Sequence, residues 1–176
     1  MPYLYFEAFD ESWKAKYEGS RGAYWGLWDK DGNLKACMQD VFAGRRMTDN
    51  WSGNELVDGP GQPTIEFSDV PPYGSSADLK GRVRHVRPSD IVVAVYIKVG
   101  NGWWAKPYYA TPTTPIWPDG TWTCDITTGG IDETATQIVA YLIPKSYTPP
   151  QMSGWSSLPA ELDANALARI EATRAP

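Results

Sequence analysis

The residues with the most chemical promise are aromatic. Trp103, Trp104, Tyr108, Tyr109 and Trp117 fall in one short stretch. Rings of this size are the usual platforms for flat ligands, and the C–H faces of pyranose sugars stack well on them. Trp103 and Trp104 are consecutive, so on a strand they point to opposite faces, and one of the two is expected outside. Lys106, Tyr108 and Tyr109 follow with polar tips suited to hydroxyl groups, and Trp117 is counted with them as a sugar-contacting ring; the simpler expectation is that half of these rings are core. A second source of chemistry is acidic. Glu7, Asp10 and Glu11 lie close in sequence, and retaining glycosidases need two carboxylates about 5 Å apart. Such a pair works only when a supporting shell holds it, so the simpler expectation is surface charge. A calcium site from Asp119, Asp125, Asp132 and Glu133 would use the hard oxygen ligands that this ion takes. However, Asp119 has a simpler task in its own turn and no EF-hand spacing is present, so no metal and no cofactor are assigned. A single histidine (His85) and two distant cysteines, Cys37 and Cys124, supply zinc or Cys/His chemistry poorly. Whether the two cysteines pair stays open. There is no glycine-rich phosphate loop and no nucleophile elbow.

These side chains need elements to position them. Residues 91–99 form a β-branched run too apolar for a strand with one wet face, so both of its faces are expected to be covered. Asn101-Gly102 then gives a hairpin signal, and Pro118-Asp119-Gly120 gives another before the alternating segment Thr121–Ile126. Ile65 and Phe67 begin the β pattern. Residues 79–86 alternate with Lys80, Arg82 and Arg84 on one face, which reads as a solvated face or an edge guard. His85 reads as a core or hydrogen-bonded histidine. A buried strand over 137–143, a short helix near 158–162 and a closing strand over 168–173 complete about seven strands at sandwich spacing. The expected fold is mainly β, an immunoglobulin-like antiparallel β-sandwich.

The totals exclude some roles. A net charge of -5 and a sequence pI near 4.9 lack the basic footprint of a nucleic-acid binder. No apolar run is long enough to span a membrane. The start, MPYLYFEAFDE, has no basic n-region and carries acids early, so it is not a signal peptide, and Met1 reads as an internal boundary.

Residues 1 to 47 differ in style. Tyr3–Phe9 and Tyr24–Trp28 read as short strands, Asp29–Asn33 as a turn, and 34–42 as a helix closed by Gly44. YFEAFDESWKAKYEG followed by GAYWGLWDKDGNLK resembles the end of the catalytic barrel of glycoside hydrolase family 17, the β-1,3-glucanase family. The resemblance implies that Glu11, Lys14 and Glu18 correspond to polar residues of the glucanase cleft near the last strand. It also implies that both catalytic glutamates belong to earlier barrel strands, so no catalytic residue is assigned here. Residues 64 to 174 are similar to a bacterial accessory domain found on glycan-related proteins. The expected organisation is a barrel-like remnant over 1–47, a linker rich in Gly and Pro over 48–63 with Trp51 as an anchor, and a sandwich over 64–176. The leading expectation is a non-catalytic carbohydrate-associated module, binding β-glucan, with an extracellular or cell-surface location. The alternatives are an assembly protein that pairs chains through its N-terminal strand, giving a homo-oligomer, and a glycoside hydrolase fragment.

Overall fold

The computed structural model describes residues 8–18, 26–35 and 53–175. The chain divides into two compact units, Met1–Thr48 and Asp49–Pro176.

The second unit is mainly β. Its strands are β1 (Thr64–Asp69), β2 (Leu79–Arg84), β3 (Ile91–Val99), β4 (Gly102–Lys106), β5 (Thr114–Pro115), β6 (Thr121–Cys124), β7 (Gln137–Pro144), β8 (Ser153–Trp155) and β9 (Ala168–Thr173). All pairings between them are antiparallel. The smaller sheet has the order β1-β2-β6; the larger runs β8-β4-β3-β7-β9, with β5 sharing one edge of β3 with β4. The inner faces of the two sheets meet in one apolar core, an arrangement consistent with a β-sandwich. β1 also runs beside β9.

Alternation explains how β3 and β7 are buried on both sides. Val93, Val95, Ile97, Ile138, Ala140 and Leu142 face the smaller sheet. Val92, Ala94, Tyr96, Val139, Tyr141 and Ile143 face the other way, into a second core. That second core is closed by residues 145–167, where Met152 and Leu162 are fully buried and Tyr147, Leu158 and Ala166 pack against them. Leu162 sits on a short helix, Ala160–Asn165. The Tyr96 hydroxyl donates to the Pro150 carbonyl at 2.9 Å, tying this cover to the sheet. Burial of each such side chain contributes roughly 1.5–3 kcal/mol.

Trp122 on β6 fills the centre of the inner core, meeting Phe67 edge-on with ring centroids 6.0 Å apart. Its indole lies over Gly81 of β2, where an added Cβ would come within 2.3 Å of the ring. Gly81 therefore stands mid-strand because any side chain would displace the tryptophan.

From Gly53 onward, the segment expected as a linker packs on this unit. Val57 is buried; its N–H donates to Val86 at 3.0 Å, and its carbonyl accepts from His85 N at 2.7 Å. Gly and Pro mark irregular backbone, and irregular backbone can still be core. Trp51 lies outside the described residues. His85 is hydrogen-bonded, with Nδ1 2.9 Å from the Gly59 carbonyl. On β2, Arg82 and Arg84 pair with Asp58 at 3.3 and 3.2 Å, and Arg84 also pairs with Glu66 at 3.1 Å, all in partly exposed positions. Pairs of this kind contribute little, about 0–1 kcal/mol each.

In the first unit, a 3-10 turn at Ser12–Lys14 leads into a one-turn helix, Ala15–Glu18. Phe9 bridges Trp28 in parallel, and Trp28 bridges Leu34 in antiparallel fashion. Leu34 and Lys35 are thus extended where a helix over 34–42 was expected; the rest of that span lies outside the described residues, as do Tyr3–Glu7 and Cys37. Leu34 follows the turn closed by Asp29, and ladder pairing at Trp28 overrides its helical spacing. Among the described residues no helix is long and apolar enough to cross a membrane.

Candidate functional site: an aromatic edge on the larger sheet

β4 carries both consecutive tryptophans, and the strand's alternation separates them. Trp103 is 7% exposed and belongs to the second core, whereas Trp104 is 39% exposed. Lys98, opposite Trp103 across β3, holds its ammonium 5.8 Å from the Trp103 ring centroid. β8 pairs along the other side of β4, Trp103 with Trp155 and Trp104 with Ser153, with a register shift between them. The Trp104 indole rests on the backbone of Gly154, where an added Cβ would sit 3.4 Å from the ring.

Two segments run side by side along this edge. Ala105 N donates to the Met152 carbonyl at 3.0 Å, and Gln151 Nε2 donates to the Ala110 carbonyl at 3.5 Å. Trp104, Tyr108, Tyr109 and Trp155 on residues 104–110 and 151–155 are all exposed, Trp155 on the face of its pair partner Trp103 and Trp104 on the opposite one. The loop between β4 and β5 is closed by a bridge between Tyr108 and Thr111. Chemically, this edge offers aromatic faces with phenol and indole donors and no charged group among those four rings.

Trp117 is exposed as well but belongs elsewhere. It lies past Pro115, which pairs with Val92, whereas Trp104 pairs with Ile97. Five residues along β3 correspond to about 17 Å. Trp117 is held by its own turn, donating to the Thr121 carbonyl at 2.8 Å and accepting from Gly120 N at 2.8 Å. Lys106, expected to offer a polar tip to hydroxyls, is instead buried and forms an ion pair with buried Asp132. As alternation requires, a residue two places after Trp104 returns to the same strand face, which here is sealed.

Three of the four oxygen ligands considered for calcium are otherwise engaged. Asp119 Oδ1 accepts from Thr121 N at 2.9 Å and Thr121 Oγ1 at 2.7 Å; the backbone bond first, then the side-chain bond, holds its carboxyl below the usual range. Asp125 Oδ1 accepts from Thr127 N at 2.9 Å. Asp132 is paired with Lys106. Among the described residues no group of three or more His, Cys, Asp or Glu converges as a metal site.

In the first unit, Glu11 and Lys14 pair at 2.9 Å one turn apart. Glu18 ends the short helix. The acid that organises this unit is Asp10. Its Oδ1 accepts from Gly26 N at 2.9 Å and from Lys35 Nζ at 2.7 Å. Gly26 approaches so closely that a Cβ there would lie 2.1 Å from the Phe9 carbonyl carbon. Asp10 is thus committed to the fold, which leaves little for a catalytic pair with Glu11. Glu7 lies outside the described residues.

No family model, no curated protein and no solved structure matches the chain. The site rests on its own geometry.

Three features escape a reading of the sequence. Trp155 stands alone in a Pro/Gly-rich segment. The Lys106–Asp132 pair joins residues 26 positions apart. Buried Arg174 donates to five carbonyls: Ala135 at 2.8 Å, Pro71 and Pro72 at 3.3 Å, Asp132 at 3.3 Å and Glu133 at 3.1 Å. Desolvation lowers the pKa of this guanidinium. The one available signal was that an arginine continues the alternation of β9 onto an inward position.

Proposed function

We propose that the chain is a non-catalytic carbohydrate-associated module, an immunoglobulin-like sandwich that holds β-glucan on the β4/β8 edge at the cell surface or outside the cell. In this reading residues 1–47 are a remnant resembling the last part of a family 17 glycoside hydrolase barrel. The observation that carries the reading is the exposed set Trp104, Tyr108, Tyr109 and Trp155 on two adjoining segments. Pyranose rings stack on such faces, and hydroxyl groups bond to phenol and indole tips. A shallow stacking surface gives an affinity of about -4 to -6 kcal/mol, high micromolar to millimolar.

Affinity electrophoresis in gels containing soluble β-1,3-glucan tests this. Wild type should be retarded and Trp104→Ala should not, with both melting alike. Unretarded wild type in every glucan tried would remove the proposal. Incubation with laminarin-type glucan addresses the glycosidase-fragment alternative; no reducing sugar above a blank is expected.

A second reading, an assembly protein, draws on Phe9, Trp13 and Tyr17, which are exposed apolar rings in the first unit. Light scattering that gives a dimer mass for the full chain, and a monomer after deletion of residues 1–47, would favour it.

A further inference from the structure

We propose that Lys106 and Asp132 condense into an intramolecular amide, a covalent cross-link between the end of β4 and the turn that precedes β7. Both side chains are almost entirely out of water, with 6% and 9% exposure. A buried ion pair is a weak source of stability, because desolvating two charges offsets most of their attraction. A buried lysine and aspartate in contact are also two reactants held at fixed positions. Such confinement turns a bimolecular reaction into a unimolecular one and supplies effective molarities on the order of 10⁵ M or more.

The surroundings match the needs of the step. Asp132 Oδ2 accepts from Lys106 Nζ and from Gly129 N, the latter at 2.8 Å. Lys106 Nζ also donates to Thr128 Oγ1 at 3.1 Å, and that hydroxyl donates to the Pro107 carbonyl. Asp132 is fixed from behind as well, since its own carbonyl accepts from Arg174. The neighbouring titratable group is the Cys124 thiol, whose pKa burial pushes up to about 12, so it brings no competing charge.

Transfer of one proton along the shared hydrogen bond turns ammonium and carboxylate into amine and acid without moving net charge. Nζ then adds to Cγ. Oδ1 gains the negative charge, while Oδ2, now the hydroxyl that will leave, stays hydrogen-bonded to the Gly129 N–H. A proton passes from nitrogen to the departing hydroxyl, the C–O bond breaks and one water leaves. One amine and one carboxyl are consumed, one secondary amide and one water are formed, and nothing is oxidised or reduced. Exclusion of water from the site disfavours the reverse hydrolysis.

The intact mass of the full-length chain, measured under denaturing conditions, decides the matter whether or not a variant folds. Wild type should weigh one water less than its sequence. Lys106→Arg and Asp132→Ala should each weigh the full sequence mass, and Asp132→Asn should lose one ammonia. Lys106 precedes a proline, so trypsin leaves both residues in one peptide. Chymotrypsin cuts after Tyr109 and Trp122 and should release the two segments still joined. A wild-type mass equal to the sequence sum overturns the proposal. So does a water loss that survives in Lys106→Arg, since an Asp-Gly succinimide would lose water in the same way.

Discussion

The two faces of the larger sheet are sealed differently: the inner face by a second sheet and the outer face by residues 145–167, which contain only a three-residue strand and a short helix. On the inner side, Trp122 is locked between Phe67 and the bare backbone of Gly81, which the β2–β6 ladder holds directly opposite it. On the outer side, Met152 and Leu162 reach the sheet from backbone with few ladder bonds of its own. Both faces carry buried apolar clusters. They differ in how far the surroundings can relax when a side chain is lost, and that sets the cost of a cavity.

This contrast can be broken or sharpened by substitution. The largest effect is expected for Trp122→Ala, a loss of about 3–5 kcal/mol measured by urea unfolding, because neither sheet can collapse onto the space. Leu162→Ala on the outer face should cost less, roughly 2–3 kcal/mol, as the short helix settles inward. Equal costs for the two would mean that the outer cover is as rigid as a sheet.

Alkaline titration probes the same two faces through their ionisable groups. Burial raises the Cys124 thiol of the inner core from 9.0 to about 12, and burial likewise raises the Tyr96 phenol of the outer core. A folded value above the unfolded one means that stability is intact below the ordinary value and is lost as pH climbs. For Cys124 the loss runs from about 9 to about 12. One unit above the ordinary thiol value, Cys124→Ala should spare roughly 1.4 kcal/mol of the loss seen in wild type. The slope that remains at higher pH should flatten in Tyr96→Phe. An unchanged pH profile in both variants would show that neither core controls alkaline unfolding.

The smallest effect on stability is expected at the aromatic edge. Trp104→Ala should change the unfolding free energy by no more than about 0.5 kcal/mol, as is usual for exposed positions, whereas Trp103→Ala should cost about 3–5 kcal/mol. A large loss at Trp104 would mean that its packing on Gly154 is structural.

These comparisons also explain what the amino-acid pattern could reveal. β3 and β7 are legible because β-branched runs without polar alternation occur only where both faces are covered. β9 is legible because Ala168–Thr173 alternates strictly. β8 is hidden, since Ser153-Gly154-Trp155 is too short for any period to register. Met152 and Leu162 are hidden for a related reason: a single apolar residue in irregular backbone carries no periodicity, and only tertiary contact makes it core. At the aromatic edge, alternation separates Trp103 from Trp104 in principle, but which of them is covered depends on the distant segment 145–167. The Lys106–Asp132 pair is of the same kind. Nothing local to either residue names the other.

The adjacency of β1 and β9 has a consequence for how quickly the second unit can form. Roughly 100 residues separate these strands, and the entropy of closing so long a loop is lost before their contact returns anything. Hairpins such as β3–β4 can assemble early, because their partners are only a turn apart. Closure of the sandwich must wait for the two distant strands to meet. Refolding is therefore expected on the scale of about milliseconds to seconds, typical of β topologies dominated by non-local pairing. Until then the larger sheet stands with its inner face bare, which is the interval in which the unit is most exposed to aggregation.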